Sequence, residues 1–227
     1  IIDAKVSVQT GYMESKWVAE RLFDAAAEKL GMRANVIRVG LISGGMNGAW
    51  DVSHWLPTIH FARFPNVGTF LGCLLTGPEL AAWIPAHNTA AAIIDMQGTP
   101  RHTLHLIHPH PVEWSTIMGQ ITNILQVSLV PYVEWFARLD HASRHVDDDK
   151  KSKCQKEGHA ALKLIEFYKL GLKNDTRNAE SMGLMPSVVA DKALKASKTL
   201  QDGELLPFIG QEDVRRWIDY WRGVCFL

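Results

Sequence analysis

The sequence predicts an α/β protein with a parallel sheet in its first third and mostly helices in the remainder. Between Gly11 and Gly31, apolar residues recur every three or four positions, which is typical of a helix that ends at a glycine. Residues 35–42 then form a short β-branched run that is followed by a serine and two glycines. This pattern is typical of a buried strand followed by a loop. A helix followed by a buried strand is half of a βαβ unit and favours a parallel sheet.

Later segments alternate short strands with helices. We expect an alanine-rich helix over residues 88–96, a strand over 103–107 and a helix that begins at Pro111. Further helices are expected over 160–170 and 187–200. The last helix is amphipathic, and its large apolar residues lie on one stripe: Val214, Trp217, Ile218 and Trp221.

Composition excludes several classes of function. Twenty-four basic residues balance 24 acidic ones among 227, so no overall field attracts nucleic acid or an anionic membrane. No apolar run reaches the ~18 residues that a membrane span needs. Three cysteines, far apart and without a CxxC pair, fit free thiols in a reducing compartment, so we expect a cytoplasmic protein. The chain begins without Met and without a signal peptide, which predicts an internal piece of a longer polypeptide.

Tyr12 and Lys16 are the candidate catalytic pair. Four residues apart on a helix, they lie on one face, one turn from each other. A lysine ammonium favours the phenolate and lowers a tyrosine pKa that starts near ~10. Such a tyrosine can give a proton to a carbonyl oxygen as hydride reaches the carbon. The pair alone also fits a surface tyrosine packed along a lysine stem, but the helix, strand and small-residue loop around it favour the catalytic interpretation.

Several segments together resemble a known family. The segments that match are Gly-Tyr-x-x-Ser-Lys-Trp-x-x-Glu at 11–20, Arg-Val-Gly-Leu-Ile-Ser-Gly at 38–44, the Trp-rich loop at 47–57, Trp-Ile-Pro at 83–85 and the closing helix at 213–221. They are similar to thioester reductase domains, a branch of the extended short-chain dehydrogenases. The closer resemblance is to the terminal reductase domains of fungal adenylate-forming reductases, relatives of aminoadipate reductase in nonribosomal-peptide-synthetase-like secondary metabolism.

The resemblance implies a Rossmann-type fold with a helical substrate-binding lobe. Residues 1–45 would be the C-terminal part of the NADPH-binding domain, with 83–110 returning to it. Residues 46–82 and 111–227 would form the lobe. Tyr12 would be the proton donor and Lys16 the ribose anchor, both also contacting NADPH. The cofactor would further face the segment after the strand: Val39, Gly40, Leu41 and Ile42.

The implied reaction is NADPH-dependent release of an acyl thioester from the phosphopantetheine arm of a carrier (thiolation) domain in the same polypeptide. The product is an aldehyde, or an alcohol after a second round. The family's GxxGxxG turn is absent before Tyr12, and Ser7 and Thr10 are too close to Tyr12 to be its carbonyl-polarising residue. We therefore expect a C-terminal portion with part of an active site. Two alternatives remain: another extended short-chain dehydrogenase or epimerase on a soluble substrate, and a non-catalytic substrate- or carrier-docking fragment.

Other features have competing interpretations. Trp50 and Trp55 would either line the channel for the substrate or cover the core. The His-Pro-His-Pro run at 108–111 favours a structural turn over a metal site, since it has no carboxylate or cysteine at ligand spacing, and we expect no metal. The charged tract at 147–153 is expected to be an exposed loop.

Overall fold

The computed structural model describes residue 4 and residues 11–60, 62–63, 70–74, 80–99, 103–144, 160–169 and 190–227. The charged tract predicted over 147–153 lies outside these ranges. The helices are α1 (Gly11–Leu30), α2 (Trp55–His60), α3 (Ala86–Asp95), α4 (Trp114–Leu125), α5 (Tyr132–Arg144), α6 (Ala160–Lys163), α7 (Asp191–Ala196), α8 (Lys198–Gln201) and α9 (Gln211–Gly223). A 3₁₀ turn, Met96–Gly98, follows α3.

The strands are short and pair in small groups. They are β1 (Val36–Val39), β2 (Ile42–Ser43), β3 (Ala62–Arg63), β4 (Phe70–Leu74), β5 (Leu80–Ala81), β6 (Ile84–Pro85), β7 (Thr103–Leu106), β8 (Val112–Glu113) and β9 (Ser128–Pro131). β1 runs parallel to β7, β2 parallel to β6 and β4 parallel to β9. β3 is antiparallel to β4, and β5 is antiparallel to β8.

The predicted strand over 35–42 is divided because its backbone changes partner at Gly40. Val36 to Val39 pair with β7, and Gly40 N–H still donates to the carbonyl of Leu106 at 2.8 Å. The carbonyl of Leu41 instead accepts from Ile84 N–H at 3.0 Å, and β2 then pairs with β6. One apolar segment thus joins two parallel pairs, which agrees with the parallel sheet that the sequence predicts.

A tryptophan cluster forms the larger part of the core. The rings of Trp50 and Trp217 meet edge to face at 4.9 Å between centroids, and those of Trp83 and Trp114 at 5.6 Å. Trp221 Nε1 donates to the backbone carbonyl of Trp50 at 3.1 Å, so this buried indole N–H is satisfied. Such aromatic pairs add roughly 0.5–1.5 kcal/mol each beyond the area that they bury. The apolar stripe predicted for the last helix is confirmed, since all four of its residues are buried in this cluster.

A second, smaller core cluster joins the strand-rich half to the segment before α9. Leu104 and Leu106 of β7 pack with Ala92 and Met96 from α3 and its following turn. Residues of α7, α8 and the next loop complete the cluster: Ala193, Leu200 and Leu206. The division of the chain into a Rossmann part and a lobe stays a prediction, and in the folded chain the segment 193–206 contacts the 84–106 region.

Asp95 connects these two segments through a polar contact. One oxygen of its carboxylate, Oδ2, accepts hydrogen bonds from Ser197 Oγ at 2.9 Å and from the backbone and side chain of Thr199, both at 2.8 Å. Ser197 Oγ in turn accepts from Leu200 N–H at 3.2 Å, as an N-cap of α8. Ser197 is extended, which interrupts the single helix predicted over 187–200 within its described part.

The loop after β2 touches α9 so closely that two of its positions need glycine. A Cβ atom on Gly48 would lie 2.0 Å from the carbonyl oxygen of Arg216, and φ at Gly48 is +74°. A Cβ on Gly44 would lie 2.5 Å from Cδ1 of Trp217. Any larger residue must therefore displace α9 from the loop.

We predict that Gly48→Ala lowers the free energy of unfolding by more than about 2 kcal/mol, because left-handed strain adds to a clash with backbone atoms. The matched control is Gly45→Ala in the same loop, where the new Cβ meets only Asn47 Oδ1 at 3.6 Å. Urea unfolding of the two variants measures the difference. Equal stability of both variants would contradict the close contact between this loop and α9.

We also predict that Asp95→Asn lowers the free energy of unfolding at neutral pH by about 1 kcal/mol, because the charged acceptor is lost. The hydrogen bond from Thr199 N–H is the largest cause that holds the pKa of Asp95 below its usual range. Because the pKa of this carboxylate is lower in the folded state, its charge stabilises the fold at pH values above its unfolded pKa. This stabilisation is lost as the pH falls below about 4. The variant should lose that acid dependence in urea titrations at several pH values, whereas Asp191→Asn should keep it.

Candidate active site

Tyr12 and Lys16 lie on the first two turns of α1, as predicted. The Lys16 ammonium nitrogen is 5.2 Å from the centroid of the Tyr12 ring, within cation–π range. Ser15 Oγ donates to the backbone carbonyl of Tyr12 at 2.7 Å, which gives the Ser15 hydroxyl a hydrogen-bond partner within the helix. Tyr12 is 72% exposed, so a reacting partner can reach its phenol.

Among the long helices that the structure describes, the helix that carries the pair is the least buried. No residue of α1 is buried against the described part of the chain, whereas α4 and α9 each bury four residues. Several apolar side chains of α1 are exposed at helical spacing: Met13, Val18, Leu22, Phe23 and Leu30. The orientation of Tyr12 and Lys16 therefore depends on contacts other than a buried apolar stripe.

An ion pair links α1 to the neighbouring strand. Arg38 of β1 donates to both carboxylate oxygens of Glu20, from Nε at 2.8 Å and from Nη2 at 2.5 Å. The side chains of Arg38 and Glu20 are only 27% and 17% exposed. The hydrogen bond from Arg38 lowers the pKa of Glu20, and the same bond raises the pKa of Arg38. Both groups are therefore charged at neutral pH and form a two-bond fork.

The sequence alone assigned no role to Glu20 or Arg38, although both lie in family motifs and Arg38 lies inside an apolar strand. The signal that could have identified them is their position: Glu20 is four residues after Lys16, and Arg38 is the one charge inside an apolar strand. A charge in such a strand needs a partner when the strand is covered.

The predicted cofactor segment, Val39 to Ile42, lies at the carboxyl end of β1. Val39 and Ile42 are exposed, whereas Leu41 is buried in the tryptophan cluster. Gly40 and Leu41 use backbone groups for the hydrogen bonds to Leu106 and Ile84. Ligands of open parallel sheets commonly bind at this end of the strands. The apolar side chains available to a cofactor are thus those of Val39 and Ile42.

The structure places Trp50 in the core. It is 5% exposed and contacts Trp83, Trp217 and Trp221. Its burial favours the packing interpretation over a channel wall. Trp55 begins α2, but its side chain lies outside the described part, so its role at the substrate stays a prediction.

The His-Pro-His-Pro run forms a turn at the end of β7. His108 is buried; its Nδ1 accepts from His110 N–H at 3.0 Å, and its Nε2 lies 3.2 Å from the carbonyl oxygen of Pro207. Burial lowers the pKa of His108, which keeps the ring neutral with its proton on Nε2.

In the described ranges, no three His, Cys, Asp or Glu side chains come together in a way that could hold a metal ion. None of the described helices is long and apolar enough to cross a bilayer.

Comparisons with known proteins identify relatives of this chain. Residues 2–93 match an NAD-binding family described as "Male sterility protein". Adenylate-forming reductase Nps10 of Heterobasidion annosum is 37% identical over 237 residues, which cover 100% of this chain and 20% of that protein. The chain thus spans about 20% of the length of this relative.

Two solved structures share the fold. The terminal R domain from the myxalamid PKS-NRPS biosynthetic pathway aligns with a TM-score of 0.67 and 21% identity, over 98% of this chain and 51% of that one. A thiolation-reductase di-domain from an archaeal non-ribosomal peptide synthetase aligns with a TM-score of 0.59 and 14% identity, over 96% and 42%. The match to an NAD-binding family supports a nicotinamide cofactor. The chain is therefore a homologue of adenylate-forming reductases along its whole length, and it has the Rossmann-type α/β fold that the sequence predicted.

Proposed function

We propose that this chain is part of an NADPH-dependent reductase that releases a carrier-bound acyl thioester as an aldehyde. The observation that carries the proposal is the exposed Tyr12–Lys16 pair at the start of α1, in a chain related along its whole length to an adenylate-forming reductase. The free, exposed thiol of Cys225 fits a reducing cytoplasm as the place of this reaction.

The residues present fit a nicotinamide cofactor. Lys16 brings three N–H donors and Tyr12 one hydroxyl, and both are exposed where ribose hydroxyls could accept or donate hydrogen bonds. Val39 and Ile42 add an exposed apolar surface at the carboxyl end of the parallel strands. NADPH, when bound, supplies the hydride. Residues 1–10 contain no glycine, so a pyrophosphate-binding turn of the usual kind does not precede Tyr12 in this chain.

Tyr12 and Lys16 would divide the remaining chemistry. Lys16, whose ammonium lies over the Tyr12 ring, would hold the ribose of the cofactor and keep the hydride donor beside Tyr12. Tyr12 would donate its proton to the oxygen of the thioester carbonyl as that oxygen becomes negative. Collapse of the resulting hemithioacetal expels the phosphopantetheine thiol and leaves the aldehyde. A second reduction by the same groups would give an alcohol.

A carrier domain in the same polypeptide is the partner that fits this reaction. One structural neighbour is a di-domain that joins thiolation and reductase modules in one protein. Such a connection makes delivery of the acyl group intramolecular and raises its effective concentration. The rival function, reduction or epimerisation of a soluble substrate, would instead need no carrier. Comparing an acyl thioester on its carrier with a free alcohol or nucleotide sugar separates the two.

We predict that Tyr12→Phe in the full-length reductase lowers kcat for aldehyde formation by at least about 10²-fold, because the proton donor is lost. Binding of the acyl carrier should change little, since the ring remains. Tyr220→Phe on α9 is the matched control and should keep normal turnover. Near-normal kcat for Tyr12→Phe would refute the assignment.

We also predict that this chain alone binds NADPH weakly, because it lacks the pyrophosphate turn, whereas the full-length reductase binds NADPH more tightly than NADH. Isothermal titration calorimetry with both nucleotides on both proteins measures this. Tight binding of NADPH by the chain alone would contradict the idea that it holds only part of the site. Absence of binding by the full-length protein would favour the non-catalytic docking alternative.

A further inference from the structure

We propose that the Glu20–Arg38 ion pair sets the rotation of α1 about its own axis and thereby positions Tyr12 and Lys16 for reaction. The inference rests on the proposed reductase function. It assigns Glu20 and Arg38 as positioning residues, not as groups that touch substrate or cofactor.

The first argument is the placement of the three side chains along the helix. Tyr12, Lys16 and Glu20 follow each other at intervals of four residues, so they lie along one face of α1. Glu20 stands about two turns, or roughly 12 Å, beyond Tyr12 along the axis. A constraint on Glu20 therefore fixes the direction in which the whole face points.

The second argument is the rigidity of the contact. The two parallel N–H···O bonds of the fork fix the relative orientation of the two planar groups, unlike a bond to a single ammonium. Arg38 is in the middle of β1, whose backbone is paired with β7 from Val36 to Val39. The guanidinium is thus anchored on a strand of the sheet, while the carboxylate is on the helix that must be oriented.

The third argument is how little else in the described chain constrains α1. Trp17, Ala25 and Ala26 are only partly covered, and no residue of this helix is buried. A rotation of about 10° displaces an atom at the helix surface, roughly 6 Å from the axis, by about 1 Å. A misplacement of about 1 Å at a reacting group can cost on the order of 10²-fold in rate. Small rotations that the ion pair prevents are therefore large enough to matter.

Steady-state kinetics of the full-length reductase test the proposal. Glu20→Gln and Arg38→Met should each lower kcat by at least about 10-fold and raise KM for NADPH, because Lys16 turns away with Tyr12. Arg38→Lys keeps the charge but not the fork, and it should give an intermediate loss. The exchange Glu20→Arg with Arg38→Glu should recover a large part of kcat.

The control lies on the same helix. Arg21 and Asp24 form an ion pair within α1 that does not reach the strand. Asp24→Asn removes a similar charge and should leave kcat and KM close to those of the wild type. If Glu20→Gln and Arg38→Met lower kcat no more than Asp24→Asn does, the positioning role is refuted.

The pH profile separates positioning from a direct electrostatic effect. Tyr12 and Lys16 share one helix, so their mutual distance does not change when the helix rotates. The pH dependence of kcat/KM should therefore stay unchanged in Glu20→Gln but shift in Lys16→Met. A shifted profile in Glu20→Gln would overturn the inference, because Glu20 would then act directly on the groups that react.

A measurement on this chain alone keeps the test independent of the reductase assignment. Amide hydrogen exchange of α1 should become faster in Glu20→Gln and Arg38→Met than in the wild type or in Asp24→Asn. Unchanged exchange would refute the structural basis of the inference whatever the activity. An inactive full-length wild type with faster exchange in the variants would contradict the proposed function while supporting the role of the ion pair in holding α1.

Discussion

The fold depends on the contact between α9 and the loop that follows β2. At Gly44 and Gly48 the loop backbone approaches Trp217 and the carbonyl of Arg216 more closely than any side chain permits. The Trp221 N–H bond to the carbonyl of Trp50 closes the same contact from the other side. The end of the chain is thereby attached to the loop that leaves the parallel strands. Interiors packed this densely do not deform gradually. This contact therefore fixes the position of the loop after β2 relative to α9, and with it the place where β2 pairs with β6.

The proposed catalytic pair, Tyr12 and Lys16, lies away from that contact. The tryptophan cluster and the cluster around Leu104 and Leu106 contain the described apolar burial, and α1 contributes no buried residue to either. A proton donor must be reachable, and a buried phenol would first have to be uncovered. Exposure of Tyr12 thus favours access but leaves the helix with few constraints on its orientation. The partly buried Glu20–Arg38 pair reconciles the two requirements, because it anchors α1 to the sheet two turns away from Tyr12.

Sequence periodicity predicted the elements whose signal is local. The 20-residue helix α1 and the buried stripe of α9 follow directly from spacing, and so does the Tyr12–Lys16 pair. Pairing between distant segments is not encoded in that way. The parallel pairing of β4 with β9 and the change of partner at Gly40 could not be predicted, because apolar residues specify burial and not which strand covers them. The break at Ser197 was missed although serine is a favoured N-cap, since its capping role depends on Asp95 from a distant helix.

The same distinction explains which site residues the sequence could identify. The proposed catalytic pair lies on one helix turn and is a local pattern, so it can be recognised in the sequence alone, and the family motifs suggest its chemical role. Trp50 has the same local surroundings whether it covers a core or lines a channel, and only the tertiary contacts with Trp83 and Trp217 favour the first. Glu20 and Arg38 were each visible as charges, but their fork arises only when α1 lies against β1. Residues that react can be recognised from their own chemistry, whereas residues that orient them are defined by a contact between separate elements.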